Sequence, residues 1–197
     1  MDDVLRKQAE KWQDRASHYL LTEQTGDPYG AYFSYFICLL IIAKDHANHS
    51  SRETGPGDEK LIKELFKRDY RKILDVLRTN ELREVARRLA GRLDGIEGQS
   101  IVFVKRNQSV PEGKHKNYVA DLNELANFWK GLEAEDACRG GSSTRSCQVF
   151  TFLWQILNNL FHGEKGYGEN HRVESDQLLL IDACKLLAAI TSTILPR

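Results

Sequence analysis

Gln155, Asn158, Asn159 and His162 fall within one stretch, "QILNNLFHGEKGYG", and are the side chains in this sequence best suited to chemistry. On a helical wheel advancing about 100° per residue, Gln148, Thr151, Asn158, Asn159 and His162 lie within about 60° of Gln155. Val149, Phe150, Leu153, Trp154, Ile156, Leu157, Leu160 and Phe161 fill the opposite arc, with Phe152 at the boundary. No formal charge occurs between Ser146 and His162, although a solvated helix face normally carries Lys or Glu. Because such groups are costly to bury unpaired, the uncharged polar stripe is expected to face a groove, a partner subunit or a polar layer in a bundle. His162 ends the helix beside Gly163, where the backbone can turn and expose the imidazole. Its ordinary pKa near neutrality suits general acid–base catalysis. Alternatively the stripe is a hydrogen-bonded packing or dimer seam, in which Asn side chains fix the register.

The elements that must hold this helix read mostly as further helices. Leu5, Ala9, Trp12, Ala16, Tyr19 and Leu20 recur at three- and four-residue spacing and predict a helix over Asp3 to Thr22. "TGDPYG" breaks it, and Asp27 as N-cap with Pro28 at the first helical position opens a second, central helix toward His49. Its apolar run "AYFSYFICLLIIA" is shorter than the roughly 20 residues needed to cross a bilayer, so no membrane association is expected. "NHSSRETGPGDE" reads as an exposed loop. One helix is expected over Lys60 to Arg78, with Ile62, Leu65, Phe66, Tyr70, Ile73, Leu74 and Leu77 on its apolar face. Asn80 is expected to cap the next, bearing Leu82, Val85, Ala86, Leu89 and Leu93. "QSIVFVKRN" could form a short strand or hairpin near 100–106, and Leu122, Leu125, Trp129 and Leu132 mark another helix. From Glu174 to Leu195 the last helix is apolar nearly all round, which predicts burial on several sides. The expected architecture is an all-α bundle of about six helices in a single domain over residues 1–197.

Charge and cysteine usage narrow the function classes. The 28 basic and 28 acidic residues cancel, so any attraction for nucleic acid or anionic lipid must be local. Lys60 to Arg92 holds eleven basic residues against five acidic ones. Such a run is either a solvated face with internal ion pairs or a grip on an RNA backbone, with Arg87 and Arg88 as candidate contacts. Cys38, Cys138, Cys147 and Cys184 show neither a CxxC pair nor zinc-ligand spacing, and no feature signals secretion. Reduced thiols in a cytoplasmic protein are therefore expected. Asp45, His46 and His49 stand at helical spacing but lack a second ligand cluster, and "GRLDGIEG" is not a phosphate loop. No metal and no cofactor is expected.

"ILNNLFHGEK", Ile156 to Lys165, resembles the signature of HEPN domains (higher eukaryotes and prokaryotes nucleotide-binding) through Asn158, Asn159, Leu160, Phe161, His162, Gly163 and Lys165. The loop and apolar helix that follow agree with the family's arrangement, and the resemblance is strongest over 148–190. It implies a dimerising α-helical bundle from defence, toxin–antitoxin or RNA-processing systems. Many members are metal-independent endoribonucleases that pair an Arg with a His four to six residues later. In the family the His activates the ribose 2′-hydroxyl or protonates the leaving oxygen, the Arg stabilises charge on the phosphate, and the polar residue after the Arg positions substrate. This chain has Leu157 at the Arg position, and leucine neither donates a hydrogen bond nor neutralises charge. Lys165, His171 and Arg172 lie on or near the loop "GEKGYGENHR", with Arg172 the better substitute because a guanidinium can bind phosphate at two points.

The resemblance thus implies an RNA-associated protein of a defence or toxin–antitoxin type with a degenerate ribonuclease centre, acting in binding or scaffolding. His162, Asn158, Asn159 and Arg172 would form what remains of the catalytic centre, and Gln155, Lys165, Arg87 and Arg88 would bind. Expected partners are a second copy, RNA, and a cognate antitoxin or nucleotidyltransferase. An active metal-independent endoribonuclease using His162 and a purely structural dimeric module are the alternatives.

Overall fold

The computed structural model describes residues 2–21, 26–49, 57–94, 146, 149–154, 157 and 170–195. These form seven helices and, among the described residues, no strand, so the all-α bundle is as expected. The strand expected near 100–106 and the helix expected over 122–132 lie outside the described residues.

α1 (Asp3–Leu21) turns Ala9 and Ala16 fully inward, one heptad apart, and such small side chains let a neighbouring helix approach closely. That neighbour is α2 (Pro28–His49). α2 begins as its sequence requires: the Asp27 carboxylate accepts the Gly30 N–H at 2.9 Å, and the Asp27 carbonyl accepts the Ala31 N–H at 3.0 Å. Pro28, which has no N–H to leave unpaired, occupies the first helical position. α2 buries Ala31, Tyr32, Tyr35, Phe36, Leu39, Ile42 and Ala43 and packs on α1, α3 and α7, which makes it a central helix.

The single helix expected over Lys60 to Arg78 is two, α3 (Asp58–Arg68) and α4 (Tyr70–Leu77). Asp69 separates them at φ −95°, ψ 20°, while its N–H still reaches the Leu65 carbonyl and its carbonyl accepts the Ile73 N–H. Asp suits such a point because its carboxylate prefers local partners to a helix interior, and here it takes Arg68 and Lys72. α3 also starts earlier than expected, since Asp58 and Glu59, assigned to the loop, form its first turn where the helix dipole favours acids. In α5 (Asn80–Asp94) the Arg83 N–H bonds the Thr79 carbonyl at 2.9 Å, so the cap falls at Thr79 and Asn80 is already helical.

The sixth helix, α6, is described over 149–154, with Ser146 and Leu157 also helical. α7 (Asn170–Ile194) begins at Asn170 rather than Glu174 and packs against α1, α2, α4 and α5, as its apolar circumference predicts. Its residues 177–194 are long and apolar enough to cross a bilayer, and in this fold 56% of that stretch is buried.

The core is continuous through α6. Rings run from Tyr32 to Phe36, Phe36 to Trp154, Trp154 to Phe150 and Phe150 to Phe66, with centroids 5.3, 6.1, 5.7 and 5.5 Å apart. All four pairs are tilted or edge-on, the arrangement that ring quadrupoles favour. Two buried hydroxyls fasten the same helix: Tyr32 donates to the Leu153 carbonyl at 2.7 Å and Ser146 to the Phe66 carbonyl at 2.8 Å.

Candidate functional site

The helix that carries the polar stripe is positioned by its apolar arc. Val149, Phe150, Leu153 and Leu157 are buried in the cluster shared with α2, α3 and α7, and Trp154 packs on it half-buried. Thr151, from the polar stripe, is exposed. The apolar arc inferred from the wheel therefore faces inward where this helix is described, and of the polar stripe Thr151 alone is among the described residues. Phe152, set at the boundary, is fully buried, so the apolar arc is wider on that side.

Leu157 is 8% exposed and belongs to the core. The residue aligned with the resembled Arg thus faces the inside of the bundle, about 140° around the wheel from the position of His162. An arginine there would have to bring its charge into a hydrocarbon environment, at a cost of several kcal/mol unless paired. Packing accounts for leucine at this position.

Gln155, Asn158, Asn159, His162 and Lys165 lie outside the described residues. Arg172, expected on or near the loop, falls in the first turn of α7. Arg87 is on α5. Arg88, on the same helix, is engaged with α7: its Nη2 donates to Asp182 Oδ1 at 2.7 Å and its Nε to Oδ2 at 3.1 Å. The Asp182 side chain is 5% exposed and that of Arg88 is 42% exposed, so the carboxylate is held in the core and the guanidinium covers it from outside. Those hydrogen bonds raise the pKa of Arg88 further above its ordinary value. Reversing the charge at Arg88 would consequently probe the packing of α5 on α7 as well as any RNA contact.

Much of the basic run is likewise paired. Lys67 bonds Glu64 at 2.7 Å, Arg78 bonds Asp75 at 3.3 Å, and Arg68 and Lys72 share Asp69, whose side chain is only 11% exposed. Asp58 is held by Lys44 at 3.4 Å. Lys60, Lys63 and Arg71 make no ion pair among the described residues, and Arg71 instead donates to the Tyr70 hydroxyl at 3.0 Å with its guanidinium 5.7 Å from that ring's centroid.

The two cysteines among the described residues, Cys38 and Cys184, are turned inward. Burial pushes the Cys38 thiol up to about 12 and Cys184 higher still, and the Cys184 Sγ–H points to the Pro28 carbonyl at 3.6 Å. Neither thiol is poised as a nucleophile, because the thiolate is the reactive form. The described residues contain no group of three His, Cys, Asp or Glu side chains able to hold a metal, and the Asp45 carboxylate accepts the Asp2 N–H at 3.1 Å. Sequence reasoning passed over Asp182, although an aspartate inside "LLLIDACKLLAAI" was a visible signal that a partner had to exist.

No family model, curated protein or solved structure matches this chain.

Proposed function

We propose that this protein is a HEPN-like, RNA-associated component of a defence or toxin–antitoxin type system whose ribonuclease centre is degenerate and which binds or scaffolds. The observation that carries this reading is Leu157: the residue at the resembled Arg position is packed into the core. Loss of one preorganised donor to a developing phosphate charge costs about a hundredfold or more in rate. The helical fold is compatible with such a scaffold, and the signature residues Asn158, Asn159 and His162 follow directly from this packed helix in the sequence. Under this reading the partners are a second copy, RNA, and a cognate antitoxin or nucleotidyltransferase, and the protein is cytoplasmic.

The test is incubation of the purified chain with a broad RNA panel in EDTA, alongside binding measurements on the same RNAs. Binding without cleavage is expected. Cleavage that disappears in a His162→Ala variant would overturn the degenerate centre and establish a metal-independent endoribonuclease. Neither binding nor cleavage at low salt would remove the RNA association.

A further inference from the structure

The buried faces of α3 (Ile62, Leu65, Phe66) and α4 (Ile73, Leu74, Leu77) fix which side chains face outward. Lys60, Lys63, Glu64 and Lys67 stand on the outer side of α3, and Arg71, Lys72, Asp75 and Arg78 on that of α4, all exposed or half-exposed. Six cations thus share this ridge with Glu64 and Asp75, and exposed Glu59 flanks it beside Lys60 in the first turn of α3. Asp69, mostly covered between the helices, pairs with Lys72 of the ridge, and Asp58 pairs with Lys44. Of the six cations, Lys60, Lys63 and Arg71 make no ion pair among the described residues, Arg71 feeling the Asp75 carboxylate only at longer range.

We propose that the outer ridge of α3 and α4 is a docking surface for the phosphodiester backbone of a nucleic acid, RNA under the function proposed above, on which this inference rests. The choice of a nucleic acid over an acidic protein follows from what the ridge lacks. Protein interfaces are anchored by apolar and aromatic side chains at a charge-poor centre. The exposed large hydrophobic residues among those described are Val4, Phe33 and Leu178, on α1, α2 and α7, and none is on α3 or α4. A phosphate backbone needs no such anchor, being held by Lys and Arg through counterion release without reading sequence. The ridge also differs from the sequence-based choice of Arg87 and Arg88, since Arg88 is committed to Asp182.

The experiment measures fluorescence anisotropy of a labelled single-stranded RNA with the full chain over a KCl series. The triple variant Lys60→Gln, Lys63→Gln, Arg71→Gln should bind about tenfold or more weakly at low salt. Its slope of log K against log salt should fall by about 2, since each single-strand phosphate contact contributes about 0.7. Asp75→Asn, which removes a carboxylate from the same ridge, should tighten binding by about threefold. An unchanged thermal transition checks that the exposed substitutions leave the fold alone. If the wild type binds RNA and the triple variant matches it in affinity and slope, the ridge is not the site, although RNA association stands. If the wild type binds no RNA at low salt, both ridge and RNA association fall. Displacement of the RNA by poly-glutamate as effectively as by unlabelled RNA of equal charge would overturn the nucleic-acid assignment in favour of an acidic protein.

Discussion

Asp182 is a single carboxylate in the apolar run of α7, and its fork of hydrogen bonds from Arg88 explains how it is tolerated there. Such a pair stabilises little relative to a hydrocarbon substitute, yet breaking it leaves the buried member uncompensated. Arg88→Ala should therefore cost about 2 kcal/mol, the exposure of the guanidinium keeping the loss below that of a fully buried pair. The double variant Arg88→Leu, Asp182→Leu should recover most of it. Urea denaturation of the two variants checks this, and an Arg88→Ala protein as stable as wild type would show that the pair contributes nothing. At the same scale, Leu157 shows why one residue can decide a functional reading: its side chain supplies packing where a guanidinium would supply charge.

At the scale of elements, the start of α2 has the most complete local logic. Asp27 caps the Gly30 N–H, Pro28 presets the first helical φ, and Gly30 leaves room for the carboxylate, since a Cβ there would collide with Asp27 Oδ2 and come within 3.3 Å of Tyr19 Cε2. Asp27→Ala is expected to lower stability by about 1 kcal/mol, read as a shifted urea midpoint at constant m. An unaltered midpoint would mean that another group takes over the cap. This start was legible from "GDPYG" because its capping hydrogen bonds are local. The division of α3 from α4 was not, because the apolar spacing continues through Asp69 and the break lies in that residue's backbone angles. The one-residue move of the α5 cap from Asn80 to Thr79 has the same origin: both residue types can cap, and backbone geometry chooses.

At the scale of the whole molecule, α2 and α7 hold four described groups, Cys38, Cys184, Tyr32 and Tyr35, whose pKa values burial raises. The native state keeps protons that the unfolded chain releases once pH exceeds the ordinary thiol value of 9.0. Stability from these groups is thus fully present below that pH and is lost as pH rises toward the native values, about 12 for Cys38. Each such group contributes a slope of about 1.4 kcal/mol per pH unit where only the unfolded form has ionised. Urea midpoints should be level in this respect from neutrality to about pH 8.5 and fall above pH 9, with a shallower fall in Cys38→Ala. A midpoint that holds steady above pH 9 would contradict the burial of these thiols.

By itself the sequence determined the class of fold and the inward face of α6, because helical periodicity and capping act over three or four residues and are written in adjacent side chains. It also placed Leu157 on the inward arc, and the position is buried. Only the tertiary structure decided which charges remain available. Arg88 and Asp182 are 94 residues apart in the chain, and no local pattern says that one will neutralise the other. The basic run reads as one block in sequence; in the fold Arg88 is taken by Asp182 from a distant helix, Lys67, Arg68, Lys72 and Arg78 pair with carboxylates one or three residues away, and Lys60, Lys63 and Arg71 face outward on α3 and α4 without an ion pair among the described residues.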